Sequence, residues 1–121
     1  MKIAVSVEFI SNGARVSKLF GKSEYFFIYD MDSETLIQKM TNHISNSHGS
    51  EVFCAQMLIK QGVNVVVCGI CENDAKKLFS EATIKVIENV EASPAMFMDE
   101  LYGMYREQEQ VHSRQFGQVG S

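Results

Sequence analysis

Two short β-branched runs constrain this chain more than any other feature. Lys2-Ile3-Ala4-Val5-Ser6-Val7 and Val63-Asn64-Val65-Val66-Val67-Cys68 are apolar at most positions. A strand with apolar residues on both sides needs cover on both faces, so each run reads as a central strand of a sheet lying between helices. Tyr25-Phe26-Phe27-Ile28-Tyr29 reads as another strand, ended by Asp30. After the turn-like Asp32-Ser33, Thr35 to Thr41 alternates as an edge strand. The tight turn between these two favours an antiparallel pair.

Helices fill the gaps. Val52, Ala55, Met57, Leu58 and Ile59 suit a helix that stops at Gly62, with Ser47 and Ser50 as candidate caps. Glu72 to Ser80 reads as a second helix, with Ala75, Leu78 and Phe79 inward, and Thr83 to Ile87 as the fifth strand. Ser93-Pro94 opens a last helix through about Tyr105, with Ser as N-cap and Pro at the first helical position. Glu8 to Lys18 reads as a polar connection with a turn at Asn12-Gly13, and Asn42 to Ser50 as a polar loop. The Gln-rich stretch Arg106 to Ser121 is expected to be a disordered tail, leaving one domain over residues 1–105.

The order β-β-β-α-β-α-β-α with right-handed crossovers predicts a three-layer α/β/α sandwich. Its mixed sheet has five strands in order 3-2-1-4-5, with strand 2 antiparallel to the others. Ligands of such sheets gather beyond the carboxyl ends of the strands where the order reverses, here between strands one and four. Glu8 to Arg15, His43 to Ser50 and Cys68 to Asp74 are expected to converge there.

Composition narrows the chemistry. The 121 residues carry 15 acidic and 11 basic side chains, a net charge of −4, and no basic block, which argues against nucleic acid as a partner. The opening apolar run is broken by Glu8, and nothing approaches the roughly 20 apolar residues of a membrane span. A cytoplasmic location is therefore expected. Three cysteines are an odd count, so reduced thiols are expected rather than a disulfide framework.

Cys68-Gly69-Ile70-Cys71 places two thiols three positions apart where a strand gives way to a helix. Two such thiolates can face one metal, and a helix N-terminus favours the anion. Against this, a cysteine ending an apolar strand often serves as a small hydrophobe. His48, beside Gly49, is the better placed of the two loop histidines for a soft metal or a sulfide, and His43 the poorer. Cys54 reads as core, and the seven methionines as adaptable packing rather than a copper site. Arg15, Lys18 and Lys22 could supply positive charge to an anionic guest, although basic residues in a polar loop are usually just solvated.

The strand order also resembles the ribonuclease-H-type sheet, whose nucleases gather several carboxylates around divalent metals. Only Glu8 and Asp74 fall at the right edge here. There is no P-loop, G-x-G-x-x-G or Ser-His-Asp constellation, so no hydrolytic activity is expected.

Met1 to Val7, Val16-Ser17-Lys18-Leu19-Phe20-Gly21-Lys22-Ser23-Glu24-Tyr25-Phe26, His48-Gly49, Ala55 to Leu58, Gly62 to Gly69 and Ala82 to Val86 together resemble the dinitrogenase iron–molybdenum cofactor biosynthesis family. The resemblance spans roughly residues 1–105 and implies a ribonuclease-H-like fold. It also implies a non-enzymatic carrier of an iron–sulfur or molybdenum–sulfur cluster, with or without copper, for delivery to a client protein. The residues singled out above then make the expected site, with His48, Gly49, Gly69 and Arg15 contacting the cluster and Cys71, Cys68 and His48 as metal ligands. Leu19 stands where the family commonly has His, and Cys68 and Cys71 where it tends to be Gly-rich. Cluster binding is therefore expected to depend on Cys71 more than on either histidine. The alternatives are a metal-free interaction or regulatory module on the same fold, and a small thiol redox protein using Cys68 and Cys71. The latter lacks the aromatic or Pro flanks usual for a thioredoxin-type pair.

Overall fold

The computed structural model describes the backbone of residues 1–119 and the side chains of residues 1–109. It is a mixed sheet of six strands with three helices. The strands are β1 (Lys2–Ile10), β2 (Gly13–Val16), β3 (Tyr25–Asp30), β4 (Thr35–Thr41), β5 (Val65–Val67) and β6 (Lys85–Ile87). The helices are α1 (Ser50–Lys60), α2 (Asn73–Glu81) and α3 (Pro94–Val119). The sheet runs β4-β3-β1-β5-β6, with β2 off this path against β1. Pairing is antiparallel between β1 and β3 and between β3 and β4, and parallel from β1 to β5 to β6.

The expected five-strand sheet is thus corrected in count and in full order by β2. Val7 of β1 pairs with both Tyr25 of β3 and Val16 of β2, whereas β5 occupies the opposite edge of β1 only at Ile3 to Val5. The outer half of β1 leaves an open edge above the end of β5, and the chain turns back at Ser11-Asn12 to fill it. Phe9 and Ile10 extend the apolar alternation of β1, and the Phe9 ring meets Tyr25 edge-on at 5.2 Å. The segment read as a polar connection is therefore mostly hairpin.

Side-chain alternation divides the core between two faces. Ala4, Phe26, Ile28 and Val66 pack beneath α1 and α2 with Cys54, Ala55, Leu58, Ala75 and Phe79. Ile3, Val5, Val7, Phe27, Tyr29 and Val67 meet Met98 and Tyr102 of α3 on the other side. A 3-10 turn at Phe20–Lys22 drives Phe20 into the first face, its ring 5.3 Å from Phe26 and 5.4 Å from Phe79.

Helix ends follow local chemistry. Ser93 caps α3 as expected, its Oγ accepting from Met96 N–H at 3.2 Å. Gly49, in the left-handed region at φ 78°, is the N-cap of α1, while the Ser50 hydroxyl donates to the Gly21 carbonyl at 2.7 Å instead of capping. α3 continues past the end expected near Tyr105, where Arg106 clasps both oxygens of Glu34 at 2.7 Å. Beyond that, the expectation of a disordered tail falls on side chains from 110 onward and on residues 120–121, outside the described residues.

Phe20 joins the 3-10 turn to the sheet and to α2. Phe20→Ala should lower the unfolding free energy by about 3–5 kcal/mol in urea titrations. A loss below about 1 kcal/mol would show that the aromatic cluster contributes little beyond its size.

Candidate functional site

The site forms where three connections meet beyond the carboxyl ends of β1, β5 and β6. A cleft of about 560 Å³ is lined by Arg15, Val16 and Lys18, by Gly69 and Ile70, and by the 89–92 segment. The walls are held by backbone hydrogen bonds. Gly69 N–H donates to Ser17 O at 2.8 Å, Ile70 N–H to Lys18 O at 2.7 Å, and Phe20 N–H to Ile70 O at 2.9 Å. On the far side Val16 N–H donates to Ala92 O at 2.8 Å, and Asn89 N–H to Gly69 O at 2.6 Å.

Gly69 is dictated by this proximity. A Cβ there would lie 2.6 Å from Lys18 O and 2.8 Å from Ser17 O, both backbone atoms that cannot swing aside. Gly21 is similarly enclosed, a Cβ meeting Glu51 Cα at 2.9 Å, and its N–H donates to both Glu72 oxygens at 3.1 and 3.2 Å.

Two cations, Arg15 and Lys18, face one carboxylate, Glu91, among the lining residues. Arg15 Nε lies 3.2 Å from Glu8 Oε1, an oxygen that also accepts from Lys18 N–H at 2.9 Å, yet Nε is buried without a hydrogen-bond partner. The ion-pair distance is real but its angle is poor, so Glu8 orients Arg15 without saturating it. The cleft floor is apolar, made by Val16, Ile70, Val90 and Ala92, and Ile70 is 57% exposed.

The cysteines lie elsewhere. Cys68 and Cys71 are 0% and 3% exposed and belong to the core under α1 and α2, as does Cys54. The hydrogen bond between the Cys68 and Cys71 thiols, followed by burial, pushes Cys68 far above the ordinary thiol range. Burial, aided by the Glu72 charge, pushes Cys54 up to about 11. Both shifts, at Cys68 and Cys54, disfavour the thiolate form that metal ligation needs.

His48 and Gly49 are exposed beyond β4, where Lys22 Nζ donates to Ser47 O at 3.2 Å, and they do not line the cleft. His43 is exposed on the same loop. The structure therefore joins Arg15 and Gly69 at one mouth and sets Cys68 beside Cys71, but it does not bring His48 to either group. Among the described residues no three His, Cys, Asp or Glu side chains are grouped to hold a metal ion.

Sequence reasoning missed the wall at Asn89 to Ala92. Its signal was slight: the five residues Glu88 to Ala92 separate the last strand from the Ser93-Pro94 helix start. Glu88 anchors this segment, one oxygen accepting Cys71 N–H at 3.1 Å and the other pairing with Lys76 at 2.9 Å. The Lys76 ammonium first, and the Cys71 amide second, hold the Glu88 carboxyl below its ordinary range.

This architecture and cleft define a small α/β domain of the dinitrogenase iron–molybdenum cofactor family, to which the chain belongs through a match over residues 1–104. No curated protein matches the chain. It is similar to the apo form of the orange protein from Desulfovibrio gigas, with 25% identity and a TM-score of 0.73, over 83% of this chain and 85% of that one. A Thermotoga protein provisionally assigned as a NifB protein shares 25% identity at a TM-score of 0.65, over 85% of this chain and 87% of its own. A Methanocaldococcus jannaschii protein provisionally assigned as a dinitrogenase, 22% identical at 0.56 over 90% of each chain, shares the fold. No helix among the described residues is long and apolar enough to cross a membrane.

Two outcomes test this placement. A thiol reagent at pH 8 should label none of the three cysteines faster than the chain unfolds; rapid labelling of Cys71 would show an accessible thiolate. Because folding raises the Cys54 value from near 9 to about 11, its stabilising effect is complete below pH 9 and is lost as pH rises towards 11. The fall in unfolding free energy between these values should be shallower in Cys54→Ala than in the native chain, and equal slopes would contradict the shift.

Proposed function

We propose that this domain carries a metal–sulfur cluster as an intact anion, seated in the cleft beside Arg15 and Lys18, for handover to a client protein. The carrying observation is that cleft, in which Arg15 and Lys18 share a lining with the apolar Val16, Ile70, Val90 and Ala92. Sulfide-ligated clusters are soft and anionic, and they bring their own inner ligands. A host needs to supply charge and an apolar bed, and both are present in the cleft that Gly69 shapes by letting the Ser17–Lys18 backbone cross so closely.

Family membership supports an iron–molybdenum cargo class, and the orange protein's description in an apo form fits a protein with a removable guest. The arrangement offers no activated nucleophile, so the role is carriage without a reaction of its own. Ligation by Cys68 and Cys71 would require the 68–71 segment to leave the core. The cleft reading needs no such step.

Protein incubated anaerobically with iron and sulfide, or with thiomolybdate and copper, should retain stoichiometric metal and show charge-transfer bands after desalting. Arg15→Glu/Lys18→Glu should lose most of the retained metal while remaining folded. Cys68→Ser/Cys71→Ser should keep it if the fold survives. Retention by the charge-reversed variant, with loss in the serine variant, would return the site to the cysteines. Absence of retention throughout would favour the metal-free interaction module.

A further inference from the structure

The 88–92 segment is the wall that nothing in the family match assigns, and its backbone is unusual. Asn89 has φ 63°, in the left-handed region that L-residues seldom enter and that Asn enters more readily than most. It is fixed there by its own N–H to Gly69 O at 2.6 Å, by Val90 N–H to Cys68 O at 3.3 Å, and by the Glu88 clamp on Cys71 N–H. Asn89 is thus secured through its backbone, which leaves the carboxamide of this exposed, cleft-lining residue available to a guest.

The chemistry of the lip is matched to an anion. Arg15 and Lys18 present charge from the hairpin side, whereas the facing segment ends in Glu91, which would repel a sulfide-rich anion. A neutral N–H donor next to Glu91 lets that wall contact the guest without adding charge. A carboxamide offers two such donors and, unlike Lys, cannot neutralise Glu91.

We infer that the Asn89 carboxamide is a hydrogen-bond donor to the anionic guest, held at the lip of the cleft by its left-handed backbone and by Glu88. Asn89 is thereby a binding residue, and Glu88 a positioning residue that acts through it. The inference rests on the cleft being the cargo site.

Substitutions at this position separate backbone from side chain. Asn89→Gly keeps the left-handed conformation at no steric cost and removes only the amide; Asn89→Asp keeps the shape and replaces donors with a negative charge. The probe is tetrathiomolybdate, titrated anaerobically into the full chain and followed by its visible absorption. Asn89→Gly should unfold at the native temperature or above, yet bind about tenfold more weakly, the loss expected for one hydrogen bond to a charged partner. Asn89→Asp should bind more weakly still, with its deficit shrinking as salt is raised, a signature that a purely structural role would not produce. Native affinity in Asn89→Gly, with Arg15→Glu/Lys18→Glu impaired, would overturn the Asn89 assignment and leave the cleft standing. No binding by the native chain would overturn both.

Discussion

The structure depends on one crossing: the strand-like pairing of residues 17–20 with residues 69–70 over the end of β5. Three backbone hydrogen bonds, from Gly69, Ile70 and Phe20, join two segments about fifty positions apart. Leu19 and Ile70 form a parallel bridge there, so the sheet continues beyond β5 without a formal strand. The crossing is possible only because Gly69 has no side chain, since any Cβ would meet the Ser17 and Lys18 carbonyls. From it follow the seat of β2, the inward turn of Phe20, and one wall of the cleft.

Burial and chemistry are separated by this arrangement. The C-x-x-C pair has the spacing of a metal site, but the crossing presses Ile70 to the surface while Gly69 and both thiols stay buried. The hydrogen bond with Cys71, and burial after it, push the Cys68 thiol up. What reaches the surface is charge and apolar area, and that combination suits a preassembled anion better than a naked ion. A soft cargo held by outer contacts can also be released without breaking protein–metal bonds, which is useful in a carrier.

Much of this was legible in the residues. The β-branched runs at Ile3–Val7 and Val63–Cys68 gave the central parallel strands, Ser93-Pro94 marked the start of α3, and Arg15 and Gly69 do line one cleft beyond the carboxyl ends of β1 and β5. β2 was hidden because only Val16 of its four residues is buried and because they take their order from an edge left open by a shorter neighbour. No local pattern encodes that vacancy. The His43–Ser50 loop shares the carboxyl edge by topology but departs from β4, two strands away from β1, and packs beside the 3-10 turn instead. Asn89 was hidden because a positive φ on a non-glycine residue is imposed by tertiary contacts. Spacing alone could not say whether Cys68 and Cys71 faced outward, since the outcome turns on which strand pairs above them.

The central claim is that cargo occupies the cleft between the hairpin base and the 89–92 wall. The most direct measurement is a map of backbone amide chemical shifts as tetrathiomolybdate is added anaerobically to isotope-labelled protein. The account predicts perturbations concentrated at residues 15–18, 69–70 and 89–92, with the His43–Gly49 loop unchanged. Perturbations centred on that loop, or on the amides flanking Cys54 and the core of α1, would contradict it.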